Sequence, residues 1–267
     1  MPETDDEATP ASAGNRCTIV VPCYNEASRL PAGKFITFLR HTPEIYFLFV
    51  NDGSTDNTLE VLQNLQRACA SSVEVLHKPV NAGKSEAVRD GMLRAIELRK
   101  GGYVGFWDAD LATPLDAIPD LLQKLIDHPQ LQMVFGARIR LLGREVHRKA
   151  SRHYLGRVFA TVVSMMLRLP IYDTQCGAKI FRITPGLSQI LSQPFISRWV
   201  FDVEILARFI ALNKNSNSDR ENVELLQHSI YEFPLNNWED VAGSKVGPGD
   251  FLLALVDTFR IYRKYLR

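Results

Sequence analysis

Four short apolar runs, each handing over to a polar loop, set the pattern of the first half of the chain. Residues 17–22, 45–50, 73–76 and 104–107 are too short for helices and are flanked by turn formers, which predicts four buried strands. Between them, apolar positions recur at helical spacing. Leu59, Val61, Leu62 and Leu65 follow the cap candidates Asp56, Asn57 and Thr58, and Ala87, Gly91, Ala95 and Leu98 mark a helix from Ser85 to about Lys100. Strands that are apolar throughout and alternate with helices predict an α/β fold, a mostly parallel sheet with helices on both faces. Farther along, the pattern predicts a helix over 116–127, strands over 133–138 and 229–234, and a polar loop over 213–222. Residues 158–169 are apolar nearly all round, and 251–267 form an amphipathic helix with a basic end. Either helix suits the core or a membrane surface.

The loops carry the chemistry. Tyr24-Asn25-Glu26 follows the first strand, residues 51–56 the second, Asn81-Ala82-Gly83-Lys84 the third and Asp108-Ala109-Asp110 the fourth. Parallel strands with crossover helices bring all four loops to the carboxyl edge of the sheet, where open α/β folds bind ligands. Asp108 and Asp110 offer two hard oxygen donors suited to Mg²⁺ or Mn²⁺, with substrate phosphate and water completing the shell. Taken alone, the same pair also suits a solvated turn. Lys84 sits at a helix start, where the dipole disfavours a cation, and that argues for a phosphate partner. Asp52 suits a nucleobase N–H or a turn cap. The stretch 140–157 is dense in cations, among them Arg144, Arg148, Lys149, Arg152 and Arg157; it reads as a phosphate-binding arm or as a solvated basic face.

Composition narrows the partners. With 46% hydrophobic residues, 267 residues suffice for one large α/β domain. The expected division is a disordered tail over 1–15, the α/β domain over 16–245 and the terminal helix over 246–267. A net charge of +1 gives no global attraction to nucleic acid, so none is expected as a partner. Cys17, Cys23, Cys69 and Cys176 form no CxxC pair and read as reduced thiols. No apolar run approaches the ~20 residues of a membrane span. The acidic start lacks the features of a signal peptide, so the expected place is cytoplasmic.

Together the loops resemble the family-2 inverting glycosyltransferases of the GT-A fold. Residues 21–26, 51–56 and 81–84 match the family's nucleotide loops, and Asp108-Ala109-Asp110 its metal motif. Residues 173–177, 198–204 and 237–238 with 243–245 are similar to the polyprenyl-phosphate branch, nearest the dolichyl-phosphate glucosyltransferases and mannose synthases. The resemblance implies a nucleotide-diphosphate sugar donor held by Pro22, Tyr24, Glu26, Asp52, Lys84, Asp108 and Ala109, and a metal on Asp108 and Asp110. It implies an acceptor polyprenyl phosphate met by Arg138, Arg148, Arg152 and Arg157. Asp110, Arg138 and Asp202 are the implied catalytic residues, although Asp202 also suits a helix N-cap. The implied reaction moves a hexose, glucose from UDP-glucose, to the lipid phosphate on the cytoplasmic face of an anionic membrane. GDP-mannose as donor, a saccharide acceptor, and silent nucleotide-sugar binding stay open as alternatives. One departure is Ala112, where some mannose synthases carry a metal-ligating glutamine.

Overall fold

Three of the four apolar runs become strands buried on both faces, whereas the third lies at the edge of the sheet with only Val73 buried. The computed structural model describes residues 13–147, 150–212, 219–241 and 248–267. Among these residues, β1 (Cys17–Cys23), β2 (Ile45–Asp52), β3 (Val73–Lys78) and β4 (Tyr103–Trp107) are the four expected strands. They pair in parallel in the order β3-β2-β1-β4. The helices between them are α1 (Ala32–Leu39), α2 (Thr58–Ala68) and α3 (Lys84–Leu98), and α4 (Ala117–Asp127) follows β4.

Beyond β4 the sheet departs from a purely parallel one. β5 (Met133–Ala137) is the expected strand, and β6 (Glu145–His147) and α5 (Ala150–Leu167) follow it. β7 (Ala178–Arg182) then inserts between β4 and β5, antiparallel to both. Next come α6 (Pro185–Leu191), α7 (Phe201–Leu212) and α8 (Asp219–Ser229). β8 (Ile230–Pro234) closes the edge, parallel to β5. β9 (Asn237–Glu239) pairs with β6 in a separate ribbon. The chain ends in α9 (Pro248–Ile261) and a π-helical turn, Tyr262–Leu266.

Period-two alternation divides the core into two layers. Val20, Leu48, Val50 and Phe106 face α3, α5 and α7, and Ile19, Val21, Phe47 and Phe49 face α1, α2 and α4. Each such side chain contributes roughly 1.5–3 kcal/mol on leaving water.

Several expectations need correction. The loop expected over 213–222 is already helical from Asp219, while 213–218 lie outside the described residues. As expected, the later part of the cation-dense stretch continues into the apolar run: from Ala150 both belong to α5, which ends at Leu167. That helix is two-sided: Phe159, Val163 and Leu167 are buried, whereas Val158 is 59% and Met165 75% exposed. The terminal helix is docked on the domain, with Ile261 buried and the Tyr265 hydroxyl donating to Glu204 Oε1 at 3.0 Å. Of the tail, 1–12 lie outside the described residues and Ala13–Asn15 form a 3-10 turn.

Candidate active site

Hydrogen bonds lock the first two loops together. The Asn25 N–H donates to Ser54 Oγ at 3.0 Å, the Thr55 N–H to Asn25 Oδ1 at 2.8 Å and the Glu26 N–H to Thr58 Oγ1 at 2.8 Å. Asn25 takes the left-handed conformation, φ 51°, which asparagine tolerates better than most residues. Pro22 lies half-buried within β1, which continues to Cys23, and Tyr24 stands out of the loop, exposed.

Asp52 is not directed outward. Its buried carboxylate accepts from Asn81 Nδ2 at 3.1 Å, from the Ala82 N–H at 3.1 Å and from the Gly83 N–H at 2.8 Å, with Lys78 Nζ 3.4 Å away. It therefore shapes the third loop rather than offering a bare acceptor to a base. Gly53 is fitted to the same approach: its φ is +65°, and a Cβ there would overlap the Asn81 backbone.

The third and fourth loops meet over the metal motif. Lys84 Nζ, from the first residue of α3, lies 2.5 Å from Asp108 Oδ1. Burial disfavours that ammonium, but Asp108, Asp202 and Asp110 outweigh it and hold its pKa above the usual lysine range. Asp110 Oδ1 accepts the Ala112 N–H at 3.0 Å, and Trp107 Nε1 fixes the turn by donating to the Thr113 carbonyl at 2.8 Å. Burial and the Asp108 charge push the Asp110 pKa up, against Ala112, Lys84 and Arg29. Ala109 between the two carboxylates is buried.

Two carboxylates separated by one residue at the end of a strand suit a divalent cation. Among the described residues no group of three or more His, Cys, Asp or Glu could hold one, so substrate phosphates and water would complete its shell. Ala112 adds only backbone here.

Downstream, the motif residues turn inward. Arg138 forms a two-pronged pair with Asp173, Nε–Oδ2 2.5 Å and Nη2–Oδ1 2.7 Å, and its guanidinium lies 5.3 Å from the centre of the Trp238 ring. Burial works against the Arg138 charge, but Asp173 more than compensates and raises its pKa. Arg157 donates to the Tyr172 carbonyl at 3.0 Å and stacks on the Tyr172 ring at 3.7 Å. Glu232 accepts the Tyr172 and Asp173 N–H groups at 2.8 and 2.9 Å. Thus Arg138 and Arg157 are engaged in the 172–173 turn rather than open to a phosphate. Arg148, Gly243, Ser244 and Lys245 lie outside the described residues, as does the Arg152 side chain.

Asp202 is not an N-cap: it lies inside the first turn of α7, and Ser197 Oγ accepts the Trp199 and Val200 N–H groups instead. Its Oδ1 sits 2.6 Å from the Nζ of Lys179, a fully buried lysine on β7. Burial raises the Asp202 pKa, against the pull of Lys179 and Lys84. Sequence reasoning missed Lys179, although a lysine inside the apolar run Ala178–Phe181 is itself a signal. It also missed Arg29, whose charge reaches Asp110, and gave no role to Arg198 of the 198–204 motif, whose side chain lines Gly83.

Residues 18–186 match glycosyl transferase family 2. The dolichyl-phosphate beta-glucosyltransferase of Drosophila melanogaster is 32% identical, over 93% of this chain and 75% of its own length. That of Dictyostelium discoideum is 30% identical over 93% and 74%, and that of Homo sapiens 30% over 89% and 71%. Glucosyl-3-phosphoglycerate synthase from Mycobacterium tuberculosis, solved with Mn²⁺, UDP-glucose and phosphoglyceric acid, shares the fold at a TM-score of 0.65, with 19% identity over 94% of this chain and 81% of that one. The family match covers more than half of the chain and includes the strand-end loops with Asp108 and Asp110, so this chain belongs to glycosyl transferase family 2.

Proposed function

We propose that the chain transfers glucose from UDP-glucose, with inversion, to the phosphate of a polyprenyl phosphate, dolichyl or undecaprenyl. The observation that carries this reading is the Asp108–Asp110 pair at the end of β4, with Lys84 on one side and Asp202 buried beside it. The similarity to dolichyl-phosphate beta-glucosyltransferases over about nine-tenths of the chain supports the choice of sugar and acceptor.

Loops one to three, with Pro22, Tyr24, Glu26 and the Asp52-ordered turn, hold the nucleotide. Lys84 faces the diphosphate, giving up its contact with Asp108 as the donor enters. Asp108 and Asp110 would hold a Mg²⁺ or Mn²⁺ ion, whose charge would neutralise the departing diphosphate. The acceptor needs no strong base, because a phosphate monoester with a second pKa near 6 is largely ionised at neutral pH. Its oxygen forms the new bond to the anomeric carbon as the bond to UDP breaks, and UDP carries the electron pair away. Asp202 faces the sugar. Arg148 and Arg152 receive the acceptor phosphate, joined by Arg157 once it exchanges the Tyr172 carbonyl for it, while Arg138 keeps its pair with Asp173 and shapes that side of the site.

The acceptor's hydrocarbon stays in the bilayer, so the enzyme must reach an anionic leaflet, on the cytoplasmic side in this reading. Among the described residues no helix is long and apolar enough to cross a membrane. Val158, Val162 and Met165 of α5 lie exposed, as do Leu253, Val256 and Phe259 of α9, with Arg260, Arg263 and Lys264 nearby. An apolar face edged by cations suits an anionic leaflet.

The test is transfer of radiolabelled sugar into an organic-extractable product, with UDP-glucose and GDP-mannose compared on the same polyprenyl phosphate. The reading expects label from UDP-glucose. Label from GDP-mannose alone, or none in the lipid phase, overturns it.

A further inference from the structure

Lys179 is the most deeply placed cation beside the site. It is 2% exposed, on a strand whose register sets it opposite Phe106 on one side and Phe135 on the other. Both rings lie close, with centroids 5.3 and 5.5 Å from Nζ. Neighbours on the same strand are Ile180 and Phe181, fully buried. Leucine or methionine would fill this position without the cost of desolvating an ammonium. A lysine here therefore has a polar task.

An ammonium has three N–H donors, and three oxygens surround this one. The Thr174 carbonyl is at 3.0 Å, the Cys176 carbonyl at 2.5 Å and Asp202 Oδ1 at 2.6 Å. The two carbonyls belong to the turn just before β7 and take the ammonium's hydrogen bonds, while Asp202 Oδ1 meets it as an ion-pair partner outside hydrogen-bond geometry. The turn is itself anchored at the metal motif. The Asp108 N–H donates to the Gly177 carbonyl at 3.0 Å, and a Cβ on Gly177 would collide with the Asp108 carboxylate. Asp202, in the first turn of α7, is thus held at a set place relative to Asp108.

We propose that Lys179 is a positioning residue of the transfer reaction, acting through Asp202: its buried ammonium, anchored by the Thr174 and Cys176 carbonyls, holds the Asp202 carboxylate toward the donor sugar by charge. This rests on the proposed function, which places Asp202 at the sugar. Lys179 touches no substrate. A neutral side chain in its place leaves Asp202 without its partner and free to take another rotamer, so the reacting geometry suffers more than nucleotide binding.

The experiment is a double-mutant cycle on the full chain, Lys179→Met, Asp202→Asn and both together, read as kcat for sugar transfer and as Kd for UDP with Mn²⁺. Lys179→Met is expected to lower kcat about 30-fold or more, with Kd for UDP within about threefold of wild type. In the Asp202→Asn background the same change is expected to lower kcat by less than about threefold, since the carboxylate it serves is gone. Should Lys179→Met fail to fold, the double variant, which removes both charges, is compared with Asp202→Asn alone. A double variant tenfold below Asp202→Asn overturns the proposal, as does a Lys179→Met enzyme with kcat within threefold of wild type. A wild type that moves no glucose sinks the proposed function and not Lys179; the same cycle is then read with the donor that the wild type turns over.

Discussion

Loops after β1, β2 and β3 and the charged residues after β5 build opposite sides of one site by different means. In the first region, neutral side chains and backbone N–H groups do most of the fastening: Asn25 with Ser54 and Thr55, Glu26 with Thr58, Asp52 with residues 81–83. The chemistry-bearing groups, Lys84, Asp108 and Asp110, remain at the rim. In the second region, buried ion pairs do the fastening: Arg138 with Asp173, Lys179 with Asp202, Arg208 with Glu204. A buried pair resists the loss of one partner more than it adds to net stability. Under the proposed function, charged motif residues therefore have different duties on the two sides, reactive on one and structural or positioning on the other.

Substitutions can break that comparison, beginning with the largest effect. Glu204 is fully buried and accepts from Ile196 N–H, Arg208 and the Tyr265 hydroxyl. Glu204→Ala is expected to destabilise the fold by about 3–5 kcal/mol, because Arg208 is left charged and unpaired. Urea unfolding measures this, and a loss under about 1 kcal/mol would remove the buried-pair account. Asp110→Asn is expected to do the reverse, lowering turnover roughly 10²–10³-fold with an unchanged unfolding midpoint. Steady-state kinetics beside a thermal melt checks both halves of that statement. Gly177→Ala should have a smaller effect than Asp110→Asn: the new Cβ displaces the Asp108 carboxylate, and turnover drops about 10–100-fold, with metal affinity reduced in parallel in a Mn²⁺ titration. Arg94→Ala is the control, since its pairs with Glu74 and Glu97 lie at the surface. Its effect on unfolding free energy should stay within about 1 kcal/mol.

What the chain discloses before folding follows the same division. Strands β1 to β4 announce themselves as apolar runs, and the loops behind them hold their polar residues consecutively, so the edge of the sheet could be read directly. β7 could not, because Lys179 interrupts its apolar run and its antiparallel insertion between β4 and β5 is a long-range choice. The pairing of Arg138 with Asp173 spans 35 residues, and no local spacing encodes it. α5 looked uniformly apolar because both of its sides carry Val and Met; only packing against the core shows that Val163 is inside and Val162 outside. Asp52 was legible as a site residue but not its duty, which depends on where the 81–83 turn comes to lie.

The central claim is that the β4-end carboxylates work on the nucleotide sugar with a divalent ion. Calorimetry of UDP-glucose binding, for the wild type and Asp110→Asn, with Mn²⁺ and with EDTA, tests it without needing the lipid. The account predicts that EDTA weakens wild-type binding by about tenfold or more, and that Asp110→Asn binds weakly and is indifferent to Mn²⁺. Equal wild-type affinity with and without the metal would contradict it.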